Sequence, residues 1–363
     1  MISQSKAMCL LVAIVATTIL LANLKCSWNT CISSINPPAP SAKRSNFVGY
    51  NGSSYITQPR SNIYLNGFEE KNRNRNLVLY SRSPKCGSTT LNAVMKAACE
   101  YGGKYTFNNL QSNAEPLPKK SELKTVAKKR KFALTHLLQE SPTIVIGHLS
   151  FFDFIELGYK QPLFIDIVRD PVERWISHYY YFRSSERHIK NLKFTDKDIN
   201  QPFEECFQIW KNTTGCSGMN ITQTAACLVR KGRNKKGCLE FQVDHSFYSY
   251  WFSGKYSTNR SLISSANAKS NIEKYYAFVG LTEHLNETVR AMERVLPRFT
   301  DEMSRAYNDL RGEHVKNRSL NKKRPSNETI AVMKEYTAND YDLYRFISQR
   351  FYRHLNRLGI KLT

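Results

Sequence analysis

The chain has 363 residues, 41% of them hydrophobic, and a formal net charge of +23. That length and apolar content suit one large α/β core and leave little room for a second full domain. The charge, spread through many Lys/Arg clusters, points to a polyanionic partner: nucleic acid, an acidic membrane surface or an acidic polysaccharide.

Residues 7–24, AMCLLVAIVATTILLANL, carry no charge and are bounded by Lys6 and Lys25. A membrane-crossing helix needs about 17 to 25 apolar residues, so this run suffices. The alternative is a cleaved signal peptide, but no small-residue cleavage site follows. The expectation is a signal anchor after a cytoplasmic tail of residues 1–6, with the bulk of the chain luminal. Seven N-x-S/T acceptors, at Asn51, Asn212, Asn220, Asn259, Asn286, Asn317 and Asn327, suit a glycosylated secretory protein, although chance supplies some of them. Cys206, Cys216, Cys227 and Cys238 lie in one loop-rich segment at spacings of 10, 11 and 11, as a local disulfide clamp would. A zinc site is the other reading, and no C-x-x-C supports it. A luminal setting removes nucleic acid and leaves an acidic glycan as the leading partner.

Residues 25–72, with NPPAPSAKRSN, read as a stem, and residues 73–363 as the globular domain. Strand-like runs occur at Leu77 to Tyr80, Thr143 to Ile146, Leu163 to Val168 and Tyr276 to Val279, with helical stretches between them. That alternation predicts a parallel sheet. Near the end, Tyr344, Ile347, Phe351, Leu355 and Leu358 recur at helical spacing and predict a core-facing stripe.

The first strand runs into SRSPKCGSTT, residues 81–90, where a strand gives way to a helix. First-turn amides and the helix dipole favour an anion there, Gly87 admits close approach, and Ser88, Thr89 and Thr90 add hydroxyl donors. Lys85 precedes the glycine, so this is not the triphosphate loop in which lysine follows it. Alone, the stretch reads equally as a capped helix start with a solvated lysine. In FIDIVRDPVERWISHYYYFR, residues 164–183, Asp170 is a candidate N-cap, Pro171 suits the first helical position and Glu173 stands three residues after the cap. That grammar leaves Arg169 unexplained at the carboxyl end of a strand, where open α/β sheets bind ligands. Arg169 and Ser177 could hold a phosphate between them.

PKCGSTT followed by IVRDPVERWISHYYYF resembles the Golgi uronyl 2-O-sulfotransferases, which act on heparan or chondroitin/dermatan chains with 3′-phosphoadenosine 5′-phosphosulfate (PAPS) as donor. The likeness runs on through IGHLSFFDF, the cysteine segment, YYAFVGLTEHLNETVRAMERVLPRF and the last helices. It implies a sulfotransferase fold: α/β, with a central parallel sheet flanked by helices and a strand-loop-helix turn for the phosphosulfate. By that resemblance Lys85, Cys86, Gly87, Ser88, Thr89 and Thr90 bind the 5′-phosphosulfate, and Arg169 with Ser177 holds the 3′-phosphate. His148 is the base, although heparan-acting members read HGH where this chain has Ile146, Gly147 and His148. Arg82 is the cation nearest the transfer site, and Arg183 and Arg187 belong to a basic run suited to the acceptor. The family also implies two short bridges, Cys206 to Cys216 and Cys227 to Cys238, a homotrimer and a Golgi location, which with the signal anchor makes a type II membrane protein; Cys86, in a ligand-facing turn where a bridge is awkward, is expected to be a free thiol.

The chemistry suits these residue types. A neutral imidazole can take the proton of an attacking sugar hydroxyl, and an ammonium can stabilise the charge gained by the leaving phosphate oxygen. No metal is expected to be required. Two other classes stay open: a catalytically silent glycan-binding Golgi membrane protein, and a nucleotide-dependent kinase, whose glycine, lysine and Ser/Thr order is missing.

Overall fold

The computed structural model describes residues 70–102, 105–110, 125–138, 142–231, 245–254, 262–310 and 322–363. The tail, the apolar run 7–24, the stem up to residue 69, Asn51, Asn259, Asn317 and Cys238 lie outside them. Among the described residues no helix is long and apolar enough to cross a membrane.

Five strands form the sheet: β1 (Arg73–Tyr80), β2 (Thr106–Asn109), β3 (Thr143–Ile146), β4 (Gln161–Val168) and β5 (Tyr276–Leu281). All neighbours pair in parallel, in the order β2-β3-β1-β4-β5. The four strands expected from their apolar runs are present. Every residue of β3, β4 and β5 is buried, which is why those strands read as continuous apolar runs rather than alternating ones. The edge strand β2 was not foreseen, because its four residues, TFNN, carry little apolar signal.

The helices follow as α1 (Ser88–Glu100), α2 (Val126–Phe132), α3 (Pro171–Ser184), α4 (Glu186–Leu192), α5 (Asp196–Asn200), α6 (Phe203–Thr213) and α7 (Ile221–Lys231). Then come α8 (Phe247–Ser253), α9 (Leu262–Tyr275), α10 (Leu285–Val295), α11 (Pro297–Thr300), α12 (Met303–Leu310), α13 (Asn327–Tyr336) and α14 (Ala338–Arg357). On α14, Leu343, Ile347, Phe351 and Leu355 are buried against the sheet, with Tyr344 and Leu358 partly buried beside them, so the foreseen stripe is centred one residue earlier at its start. A second cluster, around Trp175, Tyr179, Phe203, Phe207, Trp210 and Met333, clamps the outer face of α3. With one face fixed there, the helix presents its other face to the sheet's carboxyl edge.

Strand order reverses around β1: the chain leaves it towards β2 and β3, then crosses to β4 and β5 on its other side. The loops after these strands therefore splay apart at the carboxyl ends and leave a crevice, the usual ligand position in such sheets.

The cysteine pairing differs from the expected one. Cys216 is bonded to Cys227, with Cα atoms 5.7 Å apart. Cys206 is also in a disulfide. Both expected bridges, Cys206 to Cys216 and Cys227 to Cys238, are thereby overturned. The physical reason is α6, which is helical from Phe203 to Thr213 and carries the chain about 10 Å along its axis between Cys206 and its end, too far for a bridge to Cys216. Cys86 is a free, buried thiol.

Candidate active site

Each contributing residue stands where a strand ends. The turn after β1 is unusually contorted: Arg82 (φ 53°), Lys85 (φ 66°) and Gly87 (φ 73°) all have left-handed backbone. Two of the three are not glycine, and such conformations persist only where the surroundings fix them. Asp166, fully buried in β4, does the fixing. Its carboxylate accepts from Ser81 Oγ (2.7 Å), Ser83 N (2.9 Å), Ser83 Oγ (2.8 Å), Ile167 N (2.8 Å) and Trp251 Nε1 (2.9 Å). Burial raises its pKa, and these donors pull it back. Thr282, just beyond β5, bonds through Oγ1 to the carbonyls of Cys86 (2.7 Å) and Val168 (2.9 Å). Its left-handed dihedral is what calls for glycine at 87, and a Cβ there would also stand in a tight 3.2 Å contact with Thr282 Cγ2. Gly87 is the N-cap of α1 and supplies no side-chain acceptor, which leaves first-turn amides to a ligand.

Lys85 sits half-buried with Nζ 3.6 Å from the centroid of the Tyr181 ring on α3. Burial pulls its ammonium down to about 8, and the nearby charges of Lys322 and Arg169 add to the shift. Such a cluster of cations is unfavourable alone and becomes favourable when an anion enters.

Arg169 follows β4. Its Nη2 lies 3.3 Å from Glu173 Oε2, and Arg324 Nη1 lies 3.5 Å from the other oxygen of the same carboxylate. Its backbone is fixed by buried Tyr248 on α8, whose hydroxyl accepts from Arg169 N (3.0 Å) and donates to Arg169 O (2.6 Å). That hydroxyl also touches Cys86 Sγ at 3.4 Å, so one tyrosine joins the two loops. Burial pushes the Cys86 thiol up to about 12, which keeps it an inert packing group.

Helix α3 begins as its sequence indicates. Asp170 Oδ1 accepts from Val172 N and Glu173 N, both at 3.0 Å, and Pro171 opens the helix. The return bond of a capping box is absent, because Asp170 N donates to Glu283 at 2.7 Å and Glu173 turns to the arginines. Glu173, Ser177 and Tyr181 are spaced four apart and form one row along α3. Ser177 is buried between the residue that meets Arg169 and the residue that meets Lys85. Arg174 lies beneath this row, 6% exposed, 3.8 Å from the Phe247 ring, with Nε unbonded.

His148 comes one residue after Gly147, beyond β3. The amides of Gly147 and Leu149 on either side extend the pairing with β1 by donating to the carbonyls of Tyr80 and Ser81, each at 3.2 Å. The ring is exposed, with Nδ1 2.6 Å from the carbonyl of Arg82. A carbonyl can only accept, so in the neutral ring Nδ1 carries the hydrogen and Nε2 keeps the lone pair. Arg82, three residues before Lys85, is half-buried, and burial lowers its pKa against the influence of Tyr80 and Tyr181. The structure thus gathers Arg82, Lys85, Gly87, His148, Arg169 and Ser177 at one edge of the sheet.

The description of a sulfotransferase family matches residues 73–347, a span that includes all of these loops. The chain belongs to the sulfotransferase family. This sulfotransferase is 24% identical to heparan sulfate 2-O-sulfotransferase 1 of Xenopus laevis over 279 residues, which cover 76% of the chain and 70% of that protein. The Homo sapiens counterpart is 23% identical over the same length. A heparan sulfate 2-O-sulfotransferase of Caenorhabditis elegans is 24% identical over 301 residues, covering 81% of the chain and 82% of that protein. The family implies PAPS as the sulfate donor.

Of the cations assigned to the acceptor, the sulfotransferase keeps Arg187 exposed on α4. Arg183 is a correction. It is 4% exposed, donates from Nε to the Asp198 carbonyl at 2.9 Å, and lies 3.6 Å from the Tyr179 ring centroid. It fastens the end of α3 to α5 and cannot meet a glycan there. Among the described acceptor asparagines, Asn212, Asn220 and Asn327 are exposed and Asn286 is half-buried. The residues that sequence reasoning missed are Asp166, Tyr248, Thr282 and Tyr181. Only Asp166 left a signal, as a lone acid inside the apolar strand LFIDIV.

Proposed function

We propose that this sulfotransferase moves a sulfuryl group from PAPS to the 2-hydroxyl of a uronic acid in a glycosaminoglycan, heparan sulfate or chondroitin/dermatan sulfate. The observation that carries the reading is the bond from His148 Nδ1 to the Arg82 carbonyl, 2.6 Å long, on the loop that leads to Lys85. It leaves Nε2 as a proton acceptor beside a cationic, amide-rich turn. In the reaction, the sugar oxygen bonds to sulfur while the bond from sulfur to the bridging phosphate oxygen breaks. The hydroxyl proton passes to His148 Nε2, and adenosine 3′,5′-bisphosphate leaves. Lys85 and the first-turn amides of α1 stabilise the oxygen that gains charge. Arg169 and Ser177 hold the 3′-phosphate, and Ser88, Thr89 and Thr90 face the 5′ end. These fixed cations carry the load that a metal would otherwise carry.

The net charge of +23 and exposed cations such as Arg187 support an acidic polysaccharide as acceptor. The named activity of the relatives supports the 2-position and the heparan class. Anchoring through residues 7–24, a luminal domain in the Golgi and a homotrimer complete the reading, each resting on the sequence or its family likeness.

The test is disaccharide analysis after incubating the protein with PAPS and a panel of glycosaminoglycans. Sulfate on a uronic acid 2-hydroxyl is expected, and sulfate on hexosamine carbons refutes the position. His148→Ala is expected to lose about 10²- to 10⁴-fold in turnover while binding adenosine 3′,5′-bisphosphate as wild type does. A His148→Ala protein with near-normal transfer refutes the base. Failure of both the wild type and all variants to transfer sulfate, with the glycan still bound, favours the silent binder.

A further inference from the structure

Lys85 has an unusual partner for a cation in an anion site. Its ammonium lies 3.6 Å from the centroid of the Tyr181 ring. Among the described residues it forms no ion pair and no hydrogen bond. The Tyr181 ring is itself held edge-on by Phe182, with centroids 5.8 Å apart, and by His188 at 5.3 Å. Tyr181 follows Glu173 and Ser177 on the same row of α3, whereas its sequence neighbours Tyr179 and Tyr180 turn into the second core. The ring is therefore a fixed floor, and the ammonium can face an incoming anion on the side away from it.

We propose that Tyr181 is a positioning residue for Lys85, holding the ammonium by its ring face at the place where the donor's sulfated phosphate binds. This rests on the donor reading given above. A carboxylate in the same position would hold the lysine more strongly, but it would also repel the polyanionic donor and compete with it. A ring face attracts a cation while carrying no net charge. It also favours the protonated amine in surroundings that disfavour it. Those surroundings are burial first, then the charges of Lys322 before α13 and Arg169 after β4; His178 on α3 and His188 on α4 also face the amine, and Cys86 on the same turn acts in the opposite sense.

The experiment compares Tyr181→Leu and Tyr181→Phe in the full chain, by calorimetric binding of adenosine 3′,5′-bisphosphate and by the pH profile of kcat/KM for PAPS. Loss of the ring is expected to lower kcat/KM about 2- to 30-fold. The alkaline limb should move to lower pH, because the protonated lysine has lost a stabilising partner. The ring without its hydroxyl is expected to restore both readouts, and no protein hydrogen bond depends on that hydroxyl among the described residues. Tyr181→Leu with wild-type kcat/KM and an unmoved alkaline limb overturns the proposal. So does Tyr181→Phe as impaired as Tyr181→Leu, which would assign the effect to the hydroxyl. A wild-type protein that binds no adenosine 3′,5′-bisphosphate overturns the donor reading and takes this inference with it.

Discussion

Lys85 rests against a neutral aromatic face, whereas Arg169, in the same crevice, is paired with Glu173 at 3.3 Å. The two holds have different consequences for a ligand. Lys85 can accept an anion without giving up an opposite charge. Arg169 must share with, or swing away from, a carboxylate that already serves Arg324. A site that keeps one cation uncompensated and another neutralised concentrates its attraction at the first. In the proposed reaction that is the end where the bond breaks.

Deleting the uncompensated cation should cost most. Lys85→Ala is expected to lower kcat about 10²- to 10³-fold, as removal of a preorganised electrostatic donor does, measured by sulfate transfer at saturating PAPS. A loss confined to KM would mean that Lys85 only binds. Arg169→Ala should act on the other quantity. Adenosine 3′,5′-bisphosphate affinity is expected to fall about 10- to 150-fold, from charge-assisted bonds worth about 1.5 to 3 kcal/mol, with a smaller change in kcat. Equal effects of the two substitutions on both parameters would erase the distinction between the cations.

The pH dependence sharpens the comparison further. Burial holds the Lys85 ammonium at about 8, so its charge is present below that pH and is lost above it. Transfer is therefore expected to decline on the alkaline side of pH 8, by up to tenfold per unit, and Lys85→Ala should remove that limb. The smallest effect belongs to Glu173→Gln. A half-exposed ion pair of this kind contributes about 0.2 to 1 kcal/mol, so bisphosphate affinity should rise by at most a few fold at low salt. A tenfold loss would instead make Glu173 an aiming device for Arg169.

What could be read from the sequence follows from how local each signal was. The strands β3, β4 and β5 and the second half of β1, Leu77 to Tyr80, announce themselves as apolar runs because they are buried on both faces. Asp170 and Pro171 announce α3 because capping is a matter of adjacent residues. Lys85, Arg169 and Ser177 stand out by their places on a strand-loop-helix frame, and the family likeness adds His148. Three things depend on distance through space and left no such trace. Arg183 reads as surface charge, but an arginine at the end of α3 can lay its stem along Tyr179 and reach a carbonyl of α5. The cysteine pairing follows from the length of α6, which spacing alone does not give. In YYYF, each helical step of about 100° turns the next ring elsewhere, so two tyrosines enter the core and the third meets Lys85.

The hydroxyl of Thr282 touches the carbonyl of Cys86 on one side and that of Val168, one residue before Arg169, on the other. It acts as a spacer between the two turns that, in the proposed reaction, face the 5′-phosphosulfate and the 3′-phosphate. A nucleotide bound as proposed would be gauged by the separation of its two anionic groups rather than by either alone. A 2′-phosphate presents the same charge at a different span, and such an isomer would match one turn only by missing the other.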